Sequence, residues 1–412
     1  MKSDIVGFLR RLAKRVWARA ALVTLISIAF VLAAGWVSSL IPFRFVIDLG
    51  QDSVGSILQI IASSMLAVTT FSITAMVTAY SSATTTATPR ATQLLVEDPT
   101  SQNALSTFVG GFTFSLVGII ALSTGYYGEQ GRTILFLGTL AMVAVLVVTL
   151  LRWIAHLSTF GRMADIIDRV EAAASTTLCA YAAAPSLGAR AATEASALTG
   201  EPIRSRESGY VTFVDVAALE RIAGEREIHV AALAGRFTDT VAPLALVRGG
   251  AAVDDATREA IVGAFRVEPH RTYEQDPRLG VIALAEIGSR ALSPATNDPG
   301  TAIEILGSLQ RVLSQALRTE PEREVRYPHV WIRPVALDDL VVDAFRPIAR
   351  DAAGAVEVQI RLQKCLASLA GAAPERSGVF REAAEQAQRR ALRELPEEDA
   401  AHLTRVHDGL WA

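Results

Sequence analysis

The chain has 412 residues, with 39 Lys and Arg against 42 Asp and Glu for a formal charge of -3, and 51% of it is hydrophobic. Lacking a basic excess to neutralise phosphates, it is not composed as a nucleic-acid-binding protein. Its two cysteines, Cys179 and Cys365, make no disulfide framework.

The strongly apolar sequence is concentrated in the first 152 residues, and residues 153–412 read as an ordinary water-facing protein. Residues 1–20 carry Lys2, Arg10, Arg11, Lys14, Arg15 and Arg19 against Asp4, with Ile5, Phe8, Leu9, Leu12 and Val16 at helical spacing. That pattern predicts a basic amphipathic helix on the inner leaflet, with a disordered basic tail as the alternative. A cleaved signal peptide fits poorly, because the adjoining apolar stretch is too long.

Four apolar stretches then run from Ala21 to Ile41, Ser56 to Tyr80, Leu105 to Tyr126 and Thr133 to Trp153, and none meets Asp, Glu, Lys or Arg before Arg152. Each has about the 20 residues a helix needs to cross roughly 30 Å of hydrocarbon. The expected architecture over 21–155 is a domain of four transmembrane helices. Basic residues before the first stretch, and Arg152, Arg162 and Arg169 at the end of the last, place both chain ends in the cytoplasm of a bacterial inner-membrane protein. The absence of charge within the spans leaves no groups for an ordinary proton relay or voltage sensor.

The second span is the most polar. Ser63, Thr70, Thr74, Thr78, Ser81 and Thr85 succeed one another at intervals of 7, 4, 4, 3 and 4, which sets their hydroxyls in one stripe. Three readings stand side by side. The hydroxyls bond their own or neighbouring helices and act as glue, or they line a path shared by several copies, or they form an uncharged carrier site. In the third span Gly111, Gly118 and Gly125, with Ser115 beside them, mark a packing groove for another helix. The intervening loop, 81–104, holds Pro89 and Arg90, the latter placed at a pore mouth or against lipid phosphate, and Asp98-Pro99, which reads as a helix cap.

Residues 156–200 read as a helical connector in which Phe160 to Ala184 continues from the fourth span, and 201–412 as a mixed α/β, helix-rich cytoplasmic domain with a helical tail. GYVTFVDV, EIHVAALAG, VAPLALVRGG and RYPHVWIRPVAL are strand-like, while AALERIAGE and DDATREAIVGAF are helical. Two capped helices start after Asp276-Pro277 and Asp298-Pro299. His270, Glu274, Asp276, Ser293, Asn297 and Asp298 are therefore candidates for a ligand or subunit contact, against the plainer reading of caps and turns.

FSITAMVTAYSSATTTATPRATQLLVEDPTSQNALSTFVGGF, SGYVTFVDVAAL and especially RTYEQDPRLGVIALAEIGSRALSPATNDPGTAIEIL resemble the bacterial membrane proteins grouped as domain of unknown function 2254. The resemblance implies the same membrane-plus-cytoplasmic layout over nearly the whole chain and marks Pro89, Arg90, Ser293, Pro294, Asn297, Asp298 and Pro299 as motif positions. It implies no activity. Ala295-Thr296 and Glu286 depart from the commonest members. No HExxH, CxxC, P-loop, GxSxG or GxGxxG occurs, so the sequence predicts no enzyme, metal or cofactor. The functional expectation is a homo-oligomeric channel for small ions in the bilayer, partnered by copies of itself, with a membrane-anchored sensor or assembly factor as the alternative.

Overall fold

A computed structural model describes residues 16–37, 51–193, 200–250 and 252–412. The chain divides into two compact units, Met1–Ile166 and Ile167–Ala412. The amphipathic segment expected before Val16 lies outside the described residues, as do residues 38–41 of the first expected span.

The first unit contains α1 (Val16–Val37), α2 (Gln51–Thr86), a short α3 (Pro89–Val96), α4 (Pro99–Ser123) and α5 (Glu129–Leu157). Four of these, α1, α2, α4 and α5, are long and apolar enough to cross a bilayer. The most enclosed is α4, because its glycines admit neighbours. A side chain at Gly110 would strike Val23 of α1, one at Gly111 would meet Leu146 of α5 at 2.9 Å, and one at Gly118 would meet Leu58 of α2 at 3.0 Å. With no water to expel between helices in hydrocarbon, such close backbone approach is a main source of packing energy. At the far end of α4, the hydroxyl of Tyr126 donates to the Leu32 carbonyl at 3.0 Å and that of Tyr127 to the Val31 carbonyl at 2.5 Å, tying the turn to α1.

The helix α2 has 36 residues and spans about 54 Å, well beyond the roughly 30 Å hydrocarbon core. Its buried face, Val54, Leu58, Ile61, Met65, Ser72 and Met76, has the three-and-four spacing of a helix-packing seam. Two caps organise the turn after it. The Thr88 hydroxyl accepts from the Ala91 amide before Pro89, and Asp98 accepts from the Ser101 amide at 2.7 Å before Pro99. The helix α3 was not foreseen within the loop.

The helix α6 (Met163–Ala183) does not continue α5 directly. The intervening Gly161 has φ +76°, a left-handed conformation that ends one helix and lets the next begin. The second unit then builds β1 (Ala189–Ala191), β2 (Glu201–Arg204), β3 (Gly209–Val214), α7 (Val216–Ala223), β4 (Glu227–Val230), β5 (Phe237–Thr238), β6 (Pro243–Arg248), α8 (Asp255–Gly263) and β7 (Phe265–Glu268). It continues with α9 (Leu279–Ala291), α10 (Pro299–Leu317), β8 (Tyr327–Ile332), α11 (Leu337–Asp351), α12 (Val356–Ala372), a 3-10 turn (Pro374–Arg376), α13 (Ser377–Ala391) and α14 (Glu397–Trp411).

One sheet has the order β1-β8-β4-β6-β2, parallel across β1, β8 and β4 and antiparallel from β4 to β2; the other is antiparallel, β5-β3-β7. Alternation places Ile228, Val230, Ala245, Val247, Val330 and Ile332 in a core shared with Val211, Val214, Leu219 and Ile261. Asp215 and Asp254 cap α7 and α8. The strand β1 falls inside the segment expected to be a helical connector and pairs with β8, so the mixed α/β unit begins earlier than the sequence suggested. A helical layer completes the unit around Leu284, Ile305, Leu309, Phe345, Leu362 and Phe380.

Candidate functional site

The hydroxyl stripe occupies the outward face of α2. Ser63, Thr70, Thr74, Thr78, Ser81 and Thr85 are all exposed. At about 100° per residue they fall within an arc of about 80°, centred roughly 180° from the buried seam. Most bond backward along their own helix: Ser63 to the Gln59 carbonyl at 3.0 Å, Thr70 to Leu66 at 3.0 Å, Thr74 to Thr70 at 3.0 Å, Thr78 to Thr74 at 2.9 Å and Thr85 to Ser82 at 2.8 Å. None of these bonds joins two helices of the subunit. The donor hydrogen is used on the backbone while the oxygen keeps acceptor capacity toward the outside. Exposed Leu66, Ile73 and Val77 flank the arc on one edge and Phe71 on the other.

Two other hydroxyls of α2 reach neighbouring helices, Thr84 to the Thr92 hydroxyl of α3 at 3.2 Å and Ser72, which periodicity did not select. Ser72 is the buried one; it donates to the Val68 carbonyl at 2.7 Å and accepts from Trp153 Nε1 at 2.9 Å. The signal available in the sequence was its position on the seam, away from the stripe.

A second polar cluster joins the start of α4 to the end of α5. The Asp98 carboxylate, 3% exposed, sits 3.0 Å from His156 Nε2 and accepts from the Ser101 hydroxyl at 2.6 Å, besides capping the helix. Trp153 and Phe160 stand beside the imidazole, with ring centroids at 5.6 and 5.0 Å. The cap was legible in Asp98-Pro99, but a partner 58 residues away was not. Arg90 is exposed on the first turn of α3, after Pro89. Ser115 is buried in α4, whereas Gly125 lies beyond that helix at φ +68° with open space around it, so it forms a turn instead of extending the packing groove.

In the second unit the candidate residues separate to opposite ends of α9, a helix of 13 residues and about 20 Å. At its start, Asp276 is 1% exposed, pairs bidentately with Arg271 at 2.7 and 3.1 Å, and accepts from the amides of Arg278 and Leu279. Glu274 pairs with Arg266 at 2.7 Å, and His270 is exposed. At the other end, Asn297 adopts φ +48° and Asp298 caps α10 through the Thr301 amide at 3.0 Å and hydroxyl at 2.6 Å, which holds the Asp298 carboxyl below the usual carboxylate range. Ser293 Oγ reaches Thr296 at 3.3 Å. These groups make caps and turns, and the two ends do not converge. Among the described residues no cluster of three or more His, Cys, Asp and Glu is arranged to hold a metal ion.

The family model described as predicted membrane protein (DUF2254) matches residues 13–368. Uncharacterized proteins of Mycobacterium bovis and Mycobacterium tuberculosis are each 27% identical over 238 residues, covering 55% of this chain and 45% of the relative. The matched region thus spans about half the length of those curated relatives. No solved structure matches the chain.

Proposed function

This chain belongs to the DUF2254 family of predicted membrane proteins, and we propose that it works as a homo-oligomeric channel for small ions in the bacterial inner membrane. Copies of α2 line the path, both chain ends lie in the cytoplasm, and the second unit assembles and gates the subunits. No catalytic role is assigned. The observation that carries this reading is the outward, exposed hydroxyl stripe, set away from every intrasubunit seam. Because four packed helices of one chain leave no conduit between them, a path along these hydroxyls needs several copies around an axis. The flanking Leu66, Ile73, Val77 and Phe71 supply apolar surface for contacts between those copies.

The second reading is a membrane-anchored sensor or assembly factor. It is favoured by the backward bonds of the same hydroxyls, which satisfy their hydrogens in lipid without any pore. Subunit counting in nanodiscs, together with ion flux into proteoliposomes, separates the two. A ring with Thr70, Thr74 and Thr78 on its axis, and flux altered by changing all three to Val, supports the channel. A monomer in lipid overturns it.

A further inference from the structure

Independently of conduction, the second unit contains an open cavity of about 460 Å³ lined by Gly307, Gln310, Arg311, Ser314, Arg318 and Arg361, within the size range of small-molecule sites. Two guanidinium groups converge over the one lining position that lacks a side chain. A Cβ at Gly307 would lie 3.5 Å from Arg311 Nη1 and 3.7 Å from Arg361 Nη2. These arginines come from different helices, α10 and α12.

Their remaining donors define the chemistry. Arg311 directs Nε and Nη2 to Glu171, both at 2.6 Å, and its Nη2 also reaches Ser308 at 3.1 Å, which leaves Nη1 on the cavity side beside Gly307. Arg361 gives Nη2 to the Gln310 side-chain oxygen Oε1 at 3.0 Å and retains Nη1 and Nε. The acids acting on the cluster, Glu171, Asp168 and Glu304, act on Arg311. Among the described residues, neither Arg318 nor Arg361 has a carboxylate at ion-pair distance. Arg318 is the C-cap of α10, where a cation complements the helix dipole, and that alone explains it. The Gln310 bond holds Arg361 beside Arg311, and because the Glu171 pair offsets only Arg311, the charge of Arg361, like that of Arg318, remains to attract an anion into the cavity.

We propose that this cavity binds a small phosphate-bearing anion, with Arg318, Arg361 and the free edge of Arg311 as donors and Ser314 and Gln310 as neutral hydrogen-bonding partners. Guanidinium groups suit phosphate oxygens through paired, charge-assisted hydrogen bonds, and the volume leaves room for the remainder of the molecule. The phosphate belongs either to a free solute or to a lipid headgroup.

The test is calorimetric titration of the full chain in phosphatidylcholine nanodiscs at constant ionic strength. Inorganic pyrophosphate and a soluble short-chain phosphatidate serve as separate probes. Saturable binding is expected, and pyrophosphate alone or phosphatidate alone identifies the source. Two variants carry the assignment: Arg318→Gln with Arg361→Gln removes charge, while Gly307→Leu fills the cavity and keeps every charge. Each should weaken binding by about tenfold or more, with the ligand-free unfolding curve confirming a folded protein; Arg318→Gln alone, an exposed change, substitutes if the double variant does not fold. No saturable binding of either probe, or unchanged affinity in a folded variant, overturns the proposal.

Discussion

The two units satisfy polar groups in different ways. In the membrane unit the hydroxyls of α2 return to their own helix, as Thr74 does to Thr70 and Thr78 to Thr74, and close contact depends on glycines such as Gly110 and Gly111. In the second unit polar groups are joined to distant partners, as in Arg311 with Glu171, Arg278 with Asp343 and His329 with Glu220. The difference comes from solvent. Hydrocarbon offers no alternative partner, so every donor must find an acceptor within the protein, either on its own helix or, as for Trp153 at Ser72, on a neighbouring one, whereas water allows exposed ion pairs and caps to form and open. Exposure therefore also differs in meaning: Leu66 and Phe71 sit on a helix apolar enough to cross a bilayer, where an exposed apolar side chain suits lipid, whereas exposed Val241 in the second unit lies on no such helix.

The comparison is broken most severely at Asp276. Its replacement by Ala leaves Arg271, with 18% of its side chain exposed, without its partner and removes acceptors from two amides at the start of α9. A loss of about 3–5 kcal/mol is expected, measured as a fall in the denaturation midpoint of the second unit. In the membrane unit, Gly111→Leu drives a side chain into Leu146 and should cost about 1–3 kcal/mol, read as lost monodispersity and a lower melting temperature in mild detergent. Ser72→Ala strands the buried Trp153 indole nitrogen at about 1–2 kcal/mol, while Thr70, Thr74 and Thr78 changed to Val should each shift stability by less than about 0.5 kcal/mol. Equal losses from the two sets would abolish the distinction between seam and stripe.

The smallest effect concerns pH. Burial holds His229 below the ordinary 6.5 of imidazole, so the unfolded chain takes up its proton first as pH falls. Its contribution is present above 6.5 and is lost progressively below it, down to the depressed folded value. His229→Phe, which retains an aromatic ring against Trp331, should flatten this limb of the stability profile. An unchanged acid limb would assign the dependence to other groups.

The membrane helices were legible because composition alone specifies them, and the caps at Asp98 and Asp298 because Asp-Pro fixes both the acceptor and the first helical φ. Strands β3, β4, β6 and β8 were readable from runs of β-branched and aliphatic residues. What escaped was set by partners remote in sequence. The two residues of β5 and the polar β2 have no pattern of their own and exist through pairing with β3 and β6. The stripe was visible as a period, but its direction depends on which face of α2 meets α4. The arginine cavity was invisible, since Arg311 and Arg361 lie on helices 50 residues apart.

The junction of Asp98 with His156 also imposes an order in time. A ribosome adding about 5–20 residues per second needs roughly 3–12 s to travel between those positions. During that interval α4 can enter the bilayer with its cap formed by Ser101 but without its imidazole. Completion of the clasp therefore marks the arrival of the last span, and the membrane unit closes only when its final helix has been made.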